Sequence, residues 1–244
     1  MNLIDRYQER ILQQVQTVTT TQHDVCAAVG KAMADCVAKG GAVHVFDTGH
    51  IVNSELIYRG GGVLFLKAFK YDLTVDDSVR PRNRSGVDQD MTGLSAYALK
   101  KSGALPGDMI IIGSVSGKSQ NVVDLAIEAK KFGLTVVALT SVEYSKSVES
   151  LHKSGKRLFE CADFVIDNCA PAAEAMLEIE GVDVRFAAAS GISAAVALWS
   201  VCAQAVESLM QEHGITPSIL KSENFADGPE YNRRMKERYA ETGY

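Results

Sequence analysis

The residues with the clearest capacity for chemistry are Gly113-Ser114-Val115-Ser116-Gly117-Lys118-Ser119, set between the isoleucines at 110–112 and a helical pattern over 119–132. Gly-Lys-Ser at such a turn suggests a nucleotide loop, G-x-x-x-x-G-K-[ST]. This chain is one residue short of that spacing, which lets a backbone wrap a β-phosphate. Hydroxyls stand at Ser114, Ser116 and Ser119, where a nucleotide loop needs mainly glycine. The pattern suits a monophosphate instead. Free N–H groups near Gly117 to Gln120 and the helix dipole attract an anion, and serine hydroxyls rotate to donate to terminal phosphate oxygens. One helix cap requires one serine, not three.

The surrounding elements must hold this loop at an accessible edge. Residues 3–38 carry a helical apolar stripe, broken near "TVTTTQHD" into two helices with Thr21 or Asp24 as a cap for the second. Apolar runs at 42–46, 62–69, the segment before Gly113, 134–139 and 163–167 predict strands. Between them the spacing predicts helices over 51–60, 92–103, 119–132 and 145–152, then a long apolar helix over 190–213 and a polar tail. Strands that are nearly continuous apolar runs, alternating with helices, indicate a parallel sheet covered on both faces. Ligands bind such sheets outside the carboxyl ends of the strands. The turns after Phe46, Gly113, Leu139 and Asp167 are therefore expected to line one crevice. The polar stretch 71–91 has almost no periodicity and reads as a long functional loop.

The segment "IIIGSVSGKSQNVVDLAIEAKKFGLTVVALTS" resembles the sugar isomerase (SIS) domain family: an apolar strand, an S-x-S-G-x-[ST] loop, a helix, and a strand ending in Thr-Ser. The likeness extends in element order over roughly 20–200, and "GHIVNSELIYRGGG" with "KSENFADGPEYN" is most similar to small bacterial phosphoheptose-isomerase-like members. It implies a three-layer α/β/α sandwich around a five-stranded parallel sheet, flavodoxin-like, preceded by N-terminal helices. It also implies a sugar-phosphate ligand and a homodimer or homotetramer. Ser114, Ser116, Gly117 and Ser119 fall on the family's phosphate-binding positions, and Thr140-Ser141 on the end of the next strand. Members commonly carry G-x-G-x-S after the first strand. Here that turn reads Asp47-Thr48-Gly49-His50-Ile51-Val52-Asn53-Ser54, with Thr48 and Ser54 as substitutes for the missing serine.

The activity so implied is aldose–ketose isomerisation, which needs a base to move a proton between adjacent carbons. Glu55 is the first candidate, about one helical turn beyond the first strand, and a family carboxylate occupies a similar place. A dipole-stabilised glutamate at a helix start is the structural alternative. His50 in the same turn is a candidate for ring opening or sugar binding. Lys118 and Arg59 are candidates to add positive charge near the phosphate. Glu223, Asn224 and Glu230 in the tail are candidates to complete a partner subunit's crevice, against the alternative of a solvated tail. Two further classes stay open: a non-catalytic phosphosugar sensor, and a lyase or hydrolase acting on a phosphorylated amino sugar.

Composition narrows the remaining classes. The chain has 244 residues, ordinary apolar and charged content, and a net charge of -5, which speaks against a nucleic-acid partner. It is read as one domain, with N-terminal helices over 1–40, an α/β core over 41–213 and a polar tail over 214–244. Serines and Gln204 interrupt the most apolar helix, and the N-terminus lacks a compact apolar run. Neither a membrane span nor a signal peptide is expected, and the expected location is cytoplasmic. The five cysteines have no C-x-x-C spacing and read as free thiols. The histidines show no metal-ligand grouping, so neither metal nor organic cofactor is expected. His44 is expected in the core or at its edge, and His23 and His152 at the surface.

Overall fold

The computed structural model describes residues 2–48 and 55–244. Helices α1 (Leu3–Thr21) and α2 (His23–Ala38) lead into strand β1 (Val43–Asp47). There follow β2 (Leu66–Ala68), α3 (Leu94–Lys101), β3 (Met109–Gly113), α4 (Gln120–Phe132), β4 (Thr135–Thr140), α5 (Val142–Lys146) and β5 (Phe164–Asp167). A hairpin of β6 (Ala175–Leu177) and β7 (Phe186–Ala188) precedes α6 (Ser190–Gln211) and α7 (Gly228–Thr242). The five long-range strands form a parallel sheet in the order β2-β1-β3-β4-β5. This is the three-layer α/β/α architecture expected from the sequence.

The period-two alternation of strand side chains divides the core between two faces. Val43, Val45, Met109, Ile111, Val137 and Leu139 pack with α2 and α6. Phe46, Ile110, Ile112, Val136 and Ala138 pack with α3 and α4. By length and hydropathy α6 is apolar enough to cross a membrane, but half of that window is buried inside the protein, much of it against α2. The two helices approach closely at Gly30, where an added Cβ would lie 2.6 Å from Gln204 Cβ and 2.7 Å from the Val201 carbonyl. Gly30→Ala should therefore lower unfolding stability by about 1–3 kcal/mol, the usual cost of overpacking, read from the urea midpoint at unchanged slope.

Several expected elements are corrected. The run 62–69 pairs in the sheet only over 66–68, because the backbone around Gly62–Leu64 bonds the segment 218–220 instead. That segment belongs to the expected polar tail, which is neither loose nor wholly polar. Its Leu220 is buried and Ile215 and Ile219 pack on the core. Helix α7 then returns along the sheet edge, placing Tyr239 beneath the Lys67 ammonium at 3.7 Å. No helix spans 145–152. It is replaced by the short α5, which Ser141 Oγ caps by accepting the Tyr144 N–H, and by an irregular segment over 147–157. The break between α1 and α2 falls at Gln22, whose side chain forms no cap, so neither Thr21 nor Asp24 serves as one. All five cysteines are free. Burial pushes the thiols of Cys26 and Cys36 up to about 11, and that of Cys202 to about 12.

Candidate phosphate site at the sheet switch point

The strand order reverses between β1 and β3, and the crevice at their carboxyl ends is the standard ligand position in open parallel sheets. Asp47 pairs with Gly113 there, and Thr48 donates both its N–H and its hydroxyl to the Gly113 carbonyl at 3.3 Å. The serine loop leaves β3 at this point and ends where α4 begins.

The loop is held from behind through its carbonyls. The Val115 carbonyl accepts the Ser141 N–H at 2.9 Å and the Thr140 hydroxyl at 2.9 Å. The Gly117 carbonyl accepts the Leu158 N–H at 2.8 Å, and the Lys118 carbonyl the Leu151 N–H at 2.9 Å. In a planar trans peptide the N–H points opposite to the C=O. Anchoring these three carbonyls therefore turns the N–H groups of Ser116, Lys118 and Ser119 away from the protein body. Among the described residues no backbone acceptor takes them, and no side-chain hydrogen bond occupies the hydroxyls of Ser114, Ser116 or Ser119. The 13-residue helix α4 adds its dipole behind them. The result is a group of unpaired donors at a helix start, the kind an anion takes.

Gly117 is the residue this geometry requires. Its φ of +58 lies in the left-handed region, and a Cβ there would stand 3.1 Å from Leu158 Cβ and Ser145 Oγ and 3.2 Å from Thr140 Oγ1. The irregular segment 147–157 leaves the Leu151 N–H free to reach the Lys118 carbonyl, where a continuous helix over 145–152 would hold it in its own ladder. It also buries His152, which is only 6% exposed, contrary to the surface position expected for it. His152 Nδ1 bonds Ser154 Oγ at 2.8 Å, and its ring lies 3.9 Å from Asp124 Oδ1. Asp124 is a buried α4 residue that accepts the N–H groups of Gly93 at 2.9 Å and Ser95 at 3.1 Å, fixing the start of α3. A carboxylate inside the apolar stripe Val122–Ala126 was the sequence signal for this, and it was overlooked.

The loop 72–89 is exposed and irregular, as expected, and both its ends are tied beside α4. Tyr71 bonds Ser95 at 2.8 Å, while Asp90 accepts from Gln120 and, at 3.1 Å, from Lys153. The Thr92 hydroxyl and N–H, then Lys153, hold the Asp90 carboxyl down at about 2.

Glu55 lies against α6. Its carboxylate bonds Arg59 and accepts the Trp199 indole N–H at 3.3 Å, and its side chain is 35% exposed. Gly191, Ile192, Ala195 and Val196 line the same apolar hollow. Arg59 thus pairs with this carboxylate rather than standing free for a phosphate. Trp199 is the partner that sequence reasoning missed.

Thr140 and Ser141 are fully buried, and their hydroxyls donate to the carbonyls of Val115 at 2.9 Å and Ala170 at 2.6 Å. Lys118 is half-buried and forms no ion pair among the described residues. Gly49, His50 and Ser54 lie outside the described residues. Glu223 and Asn224 sit on the exposed turn before α7, and Glu230 bonds Arg233 at 2.7 Å.

A family model described as the SIS domain matches residues 6–141. The chain belongs to the SIS domain family. Among its relatives, a UPF0309 protein of Geobacillus kaustophilus is 34% identical over 98% of this chain and 95% of the relative. A UPF0309 protein of Streptomyces griseus is 34% identical over 91% of this chain and 89% of the relative. Among solved structures, a phosphoheptose isomerase from Francisella tularensis superposes with a TM-score of 0.51 at 17% identity, covering 85% of this chain and all of its own. The phosphoheptose isomerase of Neisseria gonorrhoeae gives 0.50 at 14% identity over 82% of this chain and 95% of its own. These two share the SIS fold with this chain.

Proposed function

We propose that this SIS protein binds a sugar phosphate, with the phosphate on the 114–119 loop, and isomerises it between aldose and ketose forms through an enediol. The observation that carries the reading is the loop whose carbonyls are tied from behind, leaving three N–H groups and three serine hydroxyls for a terminal phosphate. Two solved structures of the same fold are phosphoheptose isomerases, a name that agrees in ligand class with this reading. Glu55 is the proposed base, taking the C2 proton and returning it to C1, with Trp199 and Arg59 holding the carboxylate in place. His50 is the proposed auxiliary for ring opening, and Thr48, Gly49 and Ser54 the contacts from the first turn. The proposed assembly is a homodimer or homotetramer, with Glu223, Asn224 and Glu230 offered to a neighbouring crevice.

One contact favours a second reading. Arg59 engages the carboxylate that a proton transfer would have to use, so the Arg59–Glu55 pair also suits a protein that binds phosphosugar without turnover. A thermal-shift screen of hexose, heptose, pentose and amino-sugar phosphates, followed by NMR of each hit in D2O, separates the two. Loss of the C2 proton signal identifies the isomerase, binding without exchange the sensor, and no stabilisation by any sugar phosphate removes both.

Ser116→Ala and Ser119→Ala should each weaken the bound sugar phosphate by about 1–2 kcal/mol, one hydrogen bond to a charged group, at unchanged melting temperature. Equal affinity in both variants and the parent protein, by calorimetry, removes the phosphate assignment. ATP should compete only weakly in the same titration, and sub-micromolar ATP binding would restore the nucleotide reading.

A further inference from the structure

We infer a second anion site on the opposite side of the β1–β2 edge, built around the Asp108–His44 pair. Asp108, at the start of β3, is 4% exposed, and its carboxylate is fixed by the N–H groups of Ala42 at 2.9 Å and Leu105 at 2.8 Å. It also bonds His44 Nε2 at 3.1 Å. A carboxylate only accepts, so Nε2–H donates to Asp108, and Nδ1 is the ring nitrogen left for a ligand. His44 is itself 8% exposed, and among the described residues its hydrogen bonding is through Nε2 to Asp108, with none at Nδ1. The ring forms part of the wall of a cavity of about 580 Å³. Phe69 meets the ring edge-on at 5.8 Å and fixes its plane.

Among apolar and neutral residues such as Leu94 and Ala98, that wall carries Lys67, Lys70 and Lys101, the rings of Tyr71 and Tyr97, and one acidic side chain, Asp72. Asp72 is turned to its own loop, accepting from Leu73 and Thr74. Burial lowers the Lys67 ammonium from its ordinary value, and the Tyr239 ring lies beneath it. Lys67, Lys70 and Lys101 outnumber the two carboxylates, Asp72 on the wall and Asp108 behind His44, so the hollow has a net positive balance. An oriented imidazole with an open ring nitrogen, behind such a charge balance, fits a small hydroxylated anion. The anionic group meets the lysines and a neighbouring hydroxyl bonds Nδ1. Structural pairing of β1 with β3 needs Asp108 and Nε2, but it needs neither the open Nδ1 nor the lysines.

The test uses glycerol 3-phosphate as probe, in the full chain carrying Ser116→Ala and Ser119→Ala so that the phosphate loop contributes little. Long-range 1H–15N spectra follow the His44 ring nitrogens during titration. The expected result is a saturable shift at Nδ1 with Nε2 nearly unmoved. Lys70→Ala with Lys101→Ala, both exposed positions, should weaken it by about tenfold or more. His44→Gln keeps a donor for Asp108 and removes Nδ1, so it should abolish probe binding while the melting temperature stays within a few degrees. If it unfolds the protein, the lysine pair still decides. An Nδ1 signal indifferent to the probe, or a shift unaltered by removing both lysines, overturns the site. Neither outcome touches the serine-loop reading, which is measured in the parent protein.

Discussion

Glu55→Gln leaves sugar-phosphate affinity close to that of the parent protein and slows exchange of the sugar's C2 proton with D2O by at least ~100-fold. The affinity is retained because the phosphate donors lie on the loop after β3, while Glu55 follows β1 and faces α6. The amide keeps the size of the carboxylate and can still accept the Trp199 N–H, so the wall formed with Ile192 and Val196 stays in place. What the amide lacks is the capacity to take a proton. Exchange is the preferred readout because it reports enediol formation even where the isomerisation equilibrium is unfavourable. Exchange that survives in Glu55→Gln places the base elsewhere, with Glu223 and Glu230 next to be substituted. Its absence from the parent protein, with a sugar phosphate that binds, selects the sensor.

Gly117→Val should eliminate measurable sugar-phosphate binding and lower stability by about 3 kcal/mol. Two costs combine. A side chain in the left-handed region costs about 1–2 kcal/mol, and β-branching makes that region less accessible still. The added carbons also enter space already held by Leu158, Ser145 and Thr140 at 3.1–3.2 Å, an overpacking cost of about 1–3 kcal/mol. Relief of either strain moves the loop away from Leu151 and Leu158, whose bonds to its carbonyls orient the ligand-facing N–H groups. Gly117→Ala meets only the first contacts and should retain weakened binding. Urea midpoints and calorimetry on both variants check the order. A Gly117→Val protein that binds with parental affinity would show that the loop's backbone geometry is not what holds the ligand.

The fold, and the turn and helix start that carry the serine loop, were legible in the sequence because they depend on local pattern. Five apolar runs alternating with helical segments specify a covered parallel sheet, since each strand must bury both faces. Ser114, Ser116, Gly117 and Ser119 lie within six residues, so their convergence needs only one turn and one helix start. Features built from distant pairings were not legible. The N–H groups of Leu151, in a stretch that reads as helical, and of Leu158 beyond it are unremarkable in the sequence, and only the structure shows their bonds to the Lys118 and Gly117 carbonyls. Thr140 and Ser141 match a family pattern, yet which way each hydroxyl turns depended on carbonyls at Val115 and Ala170. Burial of His152 and Leu220 followed from partners that no window of local sequence contains. Residue types and spacing determined where an anion's donors are collected. Tertiary structure decided which donors remain available to a ligand, because a polar group buried during folding must be satisfied by whichever partner the packing brings to it.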